Sequence, residues 1–166
     1  MSPSTPGTAA VAASQTRPTP DGEGASRFQQ SALAQEVAFL TARSRSRGNA
    51  LANQMLVDLD LKVRHYAVLA MACSGTNPSQ RELGSFLDLD PSQVVALVDA
   101  LEHRELIRRA PDPRDRRSKI LIATDSGHDL YTRASERTRA AERQLLTALT
   151  PQEQDELRRL LAKIVF

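Results

Sequence analysis

Two helix-start sequences placed eleven residues apart constrain this chain more than any other feature of its sequence. Ser79 with Glu82 three positions on has the form of a capping box, in which the serine oxygen accepts from the N3 amide and the glutamate reaches back to the N-cap amide. Asp90, Pro91, Ser92 and Gln93 then supply an N-cap, a proline at the first helical position, where its missing N–H costs nothing, and a reciprocal amide partner. The predicted helices run from Gln80 to Leu87 and from Pro91 to His103, and only Asp88, Leu89 and Asp90 separate them. Two capped helices joined this tightly are a helix-turn-helix candidate. Many small helical proteins carry such a pair, so what surrounds it decides its meaning.

After His103 the period changes. Leu106 to Arg109 and Lys119 to Ile122 read as two short strands, and the connection from Ala110 to Ser118 holds Pro111, Asp112, Pro113 and Asp115, residues that form a turn. Across Arg108 to Lys119, Arg108, Arg109, Arg114, Arg116, Arg117 and Lys119 stand against Asp112 and Asp115, six cations against two carboxylates and a net +4, while the whole chain carries only +2. The remainder is therefore slightly acidic, and the hairpin concentrates the positive charge. A basic hairpin directly after a helix-turn-helix can straddle phosphates while the second helix enters a major groove. Arginine suits the tip because its planar, weakly hydrated guanidinium can enter a narrow minor groove. Asp115 is expected to fix the tip by accepting hydrogen bonds from Arg117 or from turn amides.

The flanks complete a mainly helical plan. Residues 1–27 are rich in Pro, Ala, Ser and Thr and cannot bury enough apolar surface to offset their ordering entropy, so they read as a disordered tail. A first helix is predicted from Gln29 to Met55, with Leu33, Val37 and Leu40 on one stripe and Gly48 and Asn49 as weak formers that bend or interrupt it. Val63 to Cys73 forms a second helix closed by Ser74 and Gly75. Thr124 caps a long helix from Asp125 to about Leu149, and Thr150 with Glu153 makes a second capping box for a last helix to about Val165. Aromatics are only 4% of the chain and Trp is absent, which favours aliphatic helix-on-helix packing. A lone cysteine and the lack of a secretory leader point to a reducing cytoplasm, and no run is long enough to span a bilayer. His65, His103 and His128 fall in different elements, and no residues are spaced for catalysis, for a metal or for a cofactor, so no enzyme is expected.

The run DPRDRRSKILIATDSG, Asp112 to Gly127, with SQRELGSFLDLDPSQVVALVDALEHRELIRR, Ser79 to Arg109, strongly resembles the MarR family of bacterial winged helix-turn-helix regulators. The resemblance extends from about Ala34 to the C-terminus. Its most specific motif is the aspartate-x-arginine of the wing, Asp115 and Arg117. It implies a homodimer whose outer helices, residues 28–57 and 125–166, interlock, with a winged helix-turn-helix over residues 62–123 and a MarR-like domain over 28–166. It also implies a supporting helix, Gln80 to Leu87, and a recognition helix, Pro91 to His103. The expected DNA contacts are Ser79, Gln80 and Arg81 at the start of the supporting helix, Ser92, Gln93 and Ala96 on the recognition helix, and Arg114, Arg116 and Arg117 on the wing.

Relatives commonly have threonine and arginine where this chain has Val95 and Ala96, so base-edge bonding rests on Ser92 and Gln93, with Ala96 offering apolar contact to a thymine methyl. Glu105 stands where relatives usually have glycine, so either its backbone is left-handed at a cost of about 1 kcal/mol or the turn differs. The function implied is a ligand-responsive repressor on palindromic operator DNA, released by an aromatic carboxylate or its coenzyme A thioester. Candidate effector contacts are Arg43 and Arg47, i and i+4 on one helix, with Arg64, His65 and Tyr66. Two alternatives stand beside it: a helical protein-interaction module without DNA binding, and a redox-sensing regulator using Cys73, a residue read first as a small buried hydrophobe.

Overall fold

The computed structural model describes residues 27–113, 115 and 117–166. The expected tail therefore lies outside the described residues except for Arg27, as do Arg114 and Arg116. The chain divides into two units, Met1–Ala42 and Arg43–Phe166.

The first helix differs from its predicted span. A separate 3-10 turn, Ala32–Gln35, is capped by Ser31, whose oxygen accepts from the Ala34 amide at 3.3 Å, and Glu36 ends it in extended backbone. Helix α1 begins only afterwards, at Val37–Leu56. It runs unbroken through Gly48 and Asn49. The glycine is explained by packing: a Cβ there would sit 3.2 Å from Leu145 Cδ2. A second 3-10 turn, Val57–Leu59, leads to α2, Val63–Cys73.

Helices α3, Gln80–Leu87, and α4, Pro91–His103, have the predicted limits. Both bonds of the Ser79 capping box form: the Ser79 amide donates to Glu82 Oε2 at 2.7 Å and the Glu82 amide to Ser79 Oγ at 3.2 Å. Asp90 occupies the N-cap of α4 without a capping side-chain bond, and Pro91 behind it has already removed one orphan donor. Asp88 turns the chain with φ 53°, and the Leu89 amide closes the turn on the Gly84 carbonyl at 2.9 Å.

Strands β1, Ile107–Pro111, and β2, Lys119–Ala123, pair antiparallel with Ile107 opposite Ala123 and Pro111 opposite Lys119. They extend past the predicted limits because the ladder includes Ala110 and Pro111, and proline is tolerated on the end of an edge strand. On the other edge of β2, the Leu121 amide donates to the Pro78 carbonyl at 2.9 Å, so the segment entering α3 is stitched to the hairpin.

Helix α5, Asp125–Leu145, starts at the Thr124 cap and ends four residues short of the predicted limit. The reason lies in the next helix, α6, Pro151–Val165: Gln154 Nε2 donates to the carbonyls of Leu146 and Leu149 at 3.3 and 3.0 Å, satisfying the end of α5 as a turn. The Thr150–Glu153 capping box of α6 forms as predicted. The core of the second unit is aliphatic. Val68 and Leu69 of α2, Leu83 of α3 and Leu121 of β2 meet Val94, Val98 and Leu101, one i, i+4, i+7 stripe of α4, and none is more than 1% exposed.

Candidate nucleic-acid interface

Burying Val94, Val98 and Leu101 leaves the opposite face of α4 in solvent. That face carries Ser92, Gln93, Val95, Ala96 and Asp99, all exposed. No lysine or arginine lies on it. Val95, 44% exposed, belongs to the stripe although the sequence singled it out only as a departure from relatives; its apolar character hid its exposure. On α3, Arg81 is exposed, while Ser79 and Gln80 are half-buried and already engaged. Ser79 caps α3, and Gln80 Oε1 accepts from Arg109 Nε at 2.9 Å.

Arg109 is not one of the hairpin's solvent-exposed cations. Strand alternation turns it inward and leaves Arg108 exposed. Its Nη2 reaches Asp99 Oδ1 at 2.5 Å, its Nη1 pairs with Glu102 Oε2, and its amide donates to Glu102 Oε1 at 3.0 Å. Burial disfavours its charge, but the bonds to Asp99 and Glu102 outweigh this and hold its pKa above the ordinary arginine value. The exposed cations among the described hairpin residues are Arg108, Arg117 and Lys119.

The tip is built from backbone bonds around two aspartates. The Asp112 amide donates to the Ser118 carbonyl at 3.0 Å, the Asp115 amide to the Asp112 carbonyl at 3.2 Å, and the Ser118 amide to the Asp115 carbonyl at 2.9 Å. Asp115 Oδ1 accepts from the Arg117 amide at 3.0 Å, the kind of bond the sequence led us to expect. At the other end, Glu105 takes φ 55° as α4 ends, and its carbonyl accepts from Thr124 Oγ1 at 2.7 Å. A helix pair, an exposed helix face and a basic hairpin thus share one unit.

The MarR family pattern matches residues 61–119. A MarR family transcriptional regulator from Rhodococcus sp. RHA1 is 35% identical, with a TM-score of 0.76 over 82% of this chain and 99% of that one. The chain belongs to the MarR family. CouR from Rhodococcus jostii RHA1, bound to p-coumaroyl-CoA, is 36% identical with a TM-score of 0.75 over 82% of this chain and 96% of that one. A repressor CouR bound to a 23-mer DNA duplex is 28% identical with a TM-score of 0.73, covering 81% and 95%. The HTH-type transcriptional repressor NicR of Pseudomonas putida is 30% identical over 95 residues, 57% of this chain and 60% of NicR, so the match spans less than two thirds of that relative.

As a MarR family member the chain has the winged helix-turn-helix fold, mainly helical with a two-stranded wing, and no catalytic family is indicated. Among the described residues no His, Cys, Asp and Glu group could hold a metal, and no helix is long and apolar enough to cross a membrane. The effector candidates are not gathered into one site. His65 lines a cavity of about 420 Å³ with Asn53, Val57, Asp60, Leu61 and Lys62. Arg43, Arg47 and Arg64 are exposed and do not line it, and Tyr66 instead stacks on Tyr131 with centroids 6.0 Å apart. His65 Nδ1 is buried without a hydrogen-bond partner among the described residues, and burial, with Arg104 and Lys62 nearby, holds its pKa below the ordinary value. Burial pushes the Cys73 thiol up to about 11. It stays protonated at neutral pH, its Sγ 3.9 Å from the Gly127 carbonyl oxygen, which weighs against a reactive thiolate.

Proposed function

We propose that this MarR family protein is a homodimeric, ligand-responsive transcriptional repressor that reads a near-palindromic operator with α4 and the β1–β2 wing. The observation that carries the reading is an exposed face of α4 in the same unit as a hydrogen-bonded wing tip on which Arg117 is solvent-exposed. Ser92 and Gln93 supply hydrogen bonds to base edges, and Val95 and Ala96 supply apolar contact suited to thymine methyls. With no cation on that face, phosphate attraction falls to Arg81, Arg108, Arg117 and Lys119, together with Arg114 and Arg116, which lie outside the described residues. Two-fold pairing would set recognition helices roughly 34–36 Å apart, one turn of DNA.

A duplex selected from a random pool tests this directly. The parent chain is expected to enrich an inverted repeat and to bind it with steep salt dependence, and Arg117→Ala to weaken binding and make the log–log salt slope shallower by about 1. A protein-interaction module would enrich nothing and show no salt dependence.

The effector is a small aromatic carboxylate or its coenzyme A thioester. Support comes from the exposed Arg43 and Arg47, i and i+4 on α1, and from CouR, solved with p-coumaroyl-CoA. A panel of such ligands is expected to shift operator affinity and thermal stability, with a weaker shift in Arg43→Ala/Arg47→Ala; no change in either quantity across the panel would remove this part of the reading.

A further inference from the structure

Asp99 sets a problem for a DNA-reading helix. It lies one turn beyond Ala96 and two beyond Ser92 on the exposed stripe of α4, and its side chain is 58% exposed. An uncompensated carboxylate there would repel phosphate. The compensation comes from the hairpin. Arg109, its side chain only 18% exposed, bonds Asp99 and Glu102 on α4 and Gln80 in the first turn of α3, while its own amide is held by Glu102. One guanidinium therefore connects wing, supporting helix and recognition helix. Its three nitrogens point to three acceptors, a planar fork that a lysine ammonium cannot reproduce.

We propose that Arg109 is the positioning residue for base recognition: it fixes the orientation of α4 against the wing and offsets the Asp99 charge on the reading face, without itself contacting DNA. This rests on the DNA-binding reading above. Loss of Arg109 frees α4 to tilt on its aliphatic seat, which costs base-edge contacts that need fixed geometry. Phosphate contacts made by flexible surface cations tolerate such a tilt. Discrimination between sequences is therefore affected more than attraction to DNA as such.

The experiment uses the full chain, the duplex that the parent enriches from a random pool and a scrambled duplex of the same length, with affinities measured by fluorescence anisotropy over a salt series. In Arg109→Ala the affinity for the selected duplex is expected to fall about 30-fold and that for the scrambled duplex less than about 3-fold, with a salt slope within about half a unit of the parent's. Arg109→Lys, which keeps the charge and loses the fork, is expected to lose about 5-fold of the selected-to-scrambled ratio and serves as the reading if the alanine variant does not fold. An equal loss on both duplexes would reduce Arg109 to a merely structural residue, and a slope shallower by about 0.9 would make it a phosphate contact; either result overturns the proposal. A parent that enriches no duplex overturns the DNA-binding reading itself. Selective binding by the parent with an unchanged ratio in both variants overturns only the role of Arg109.

Discussion

Glu105 shows how one residue can carry strain for the sake of a corner. Its φ of 55° lets the chain leave α4 and enter β1 within three residues, and the Leu106 amide returns to the Leu101 carbonyl at 3.0 Å as it does so. A side chain with a Cβ pays for this conformation, while glycine does not. Glu105→Gly is expected to raise unfolding stability by up to about 1 kcal/mol, measured by urea titration. His65 makes a pH-dependent contribution of the opposite kind. Its folded pKa lies below its unfolded value, so the unfolded chain takes up the proton first as pH falls. Stability is then full above the unfolded value near 6.5 and declines below it until the folded value is passed. The melting temperature should drop between pH 7.5 and 5, and by less in His65→Gln than in the parent.

Among the elements, the hairpin and α5 are joined at Gly127. A Cβ on that residue would lie 2.0 Å from the Leu106 carbonyl oxygen, a backbone atom that cannot rotate away. The first turn of α5 therefore sits directly on the corner between α4 and β1, and the Thr124 cap bonds both the Glu105 and Leu106 carbonyls from the same side. Gly127→Ala is expected to destabilise the fold by about 3 kcal/mol in the same titration. Asp115 meets the wing as an acceptor, its Oδ1 taking the Arg117 amide. Asp115→Asn keeps the bond to the Arg117 amide and removes a negative charge, so it should bind the selected duplex at least as tightly as the parent. Asp115→Ala loses the bond and should bind about 5-fold more weakly.

At the scale of the whole molecule, helix α6 buries none of its residues in the isolated chain, and Leu160, Leu161, Ile164, Val165 and Phe166 are exposed. In the first unit Leu33, Val37 and Leu40 are exposed as well. Apolar side chains repeated along helices in this way gain about 25 cal/mol for each Å² removed from water, and the homodimer proposed above would cover them. Sedimentation equilibrium at micromolar concentration should give twice the 18.2 kDa of one chain. Leu160→Lys/Ile164→Lys should shift the mass toward the monomer, and a parent that sediments as a monomer would remove the dimer.

What the sequence determined by itself was mostly local. Capping boxes at Ser79 and Thr150, Pro91 at the start of α4 and the acceptor role of Asp115 involve atoms a few residues apart, so each could be read from neighbouring letters. The break at Glu36 was hidden because the apolar stripe continues across it, and the early end of α5 because its cap comes from Gln154 in the next helix. Net charge located the wing but could not separate Arg108 from Arg109, which are adjacent in sequence and opposite in role. Tertiary structure made that separation: strand pairing turned one arginine to solvent and the other onto Asp99, Glu102 and Gln80, partners up to 29 residues distant. A charge becomes a phosphate contact or a brace according to which acceptors the fold brings within reach, and a side chain's letter does not specify that.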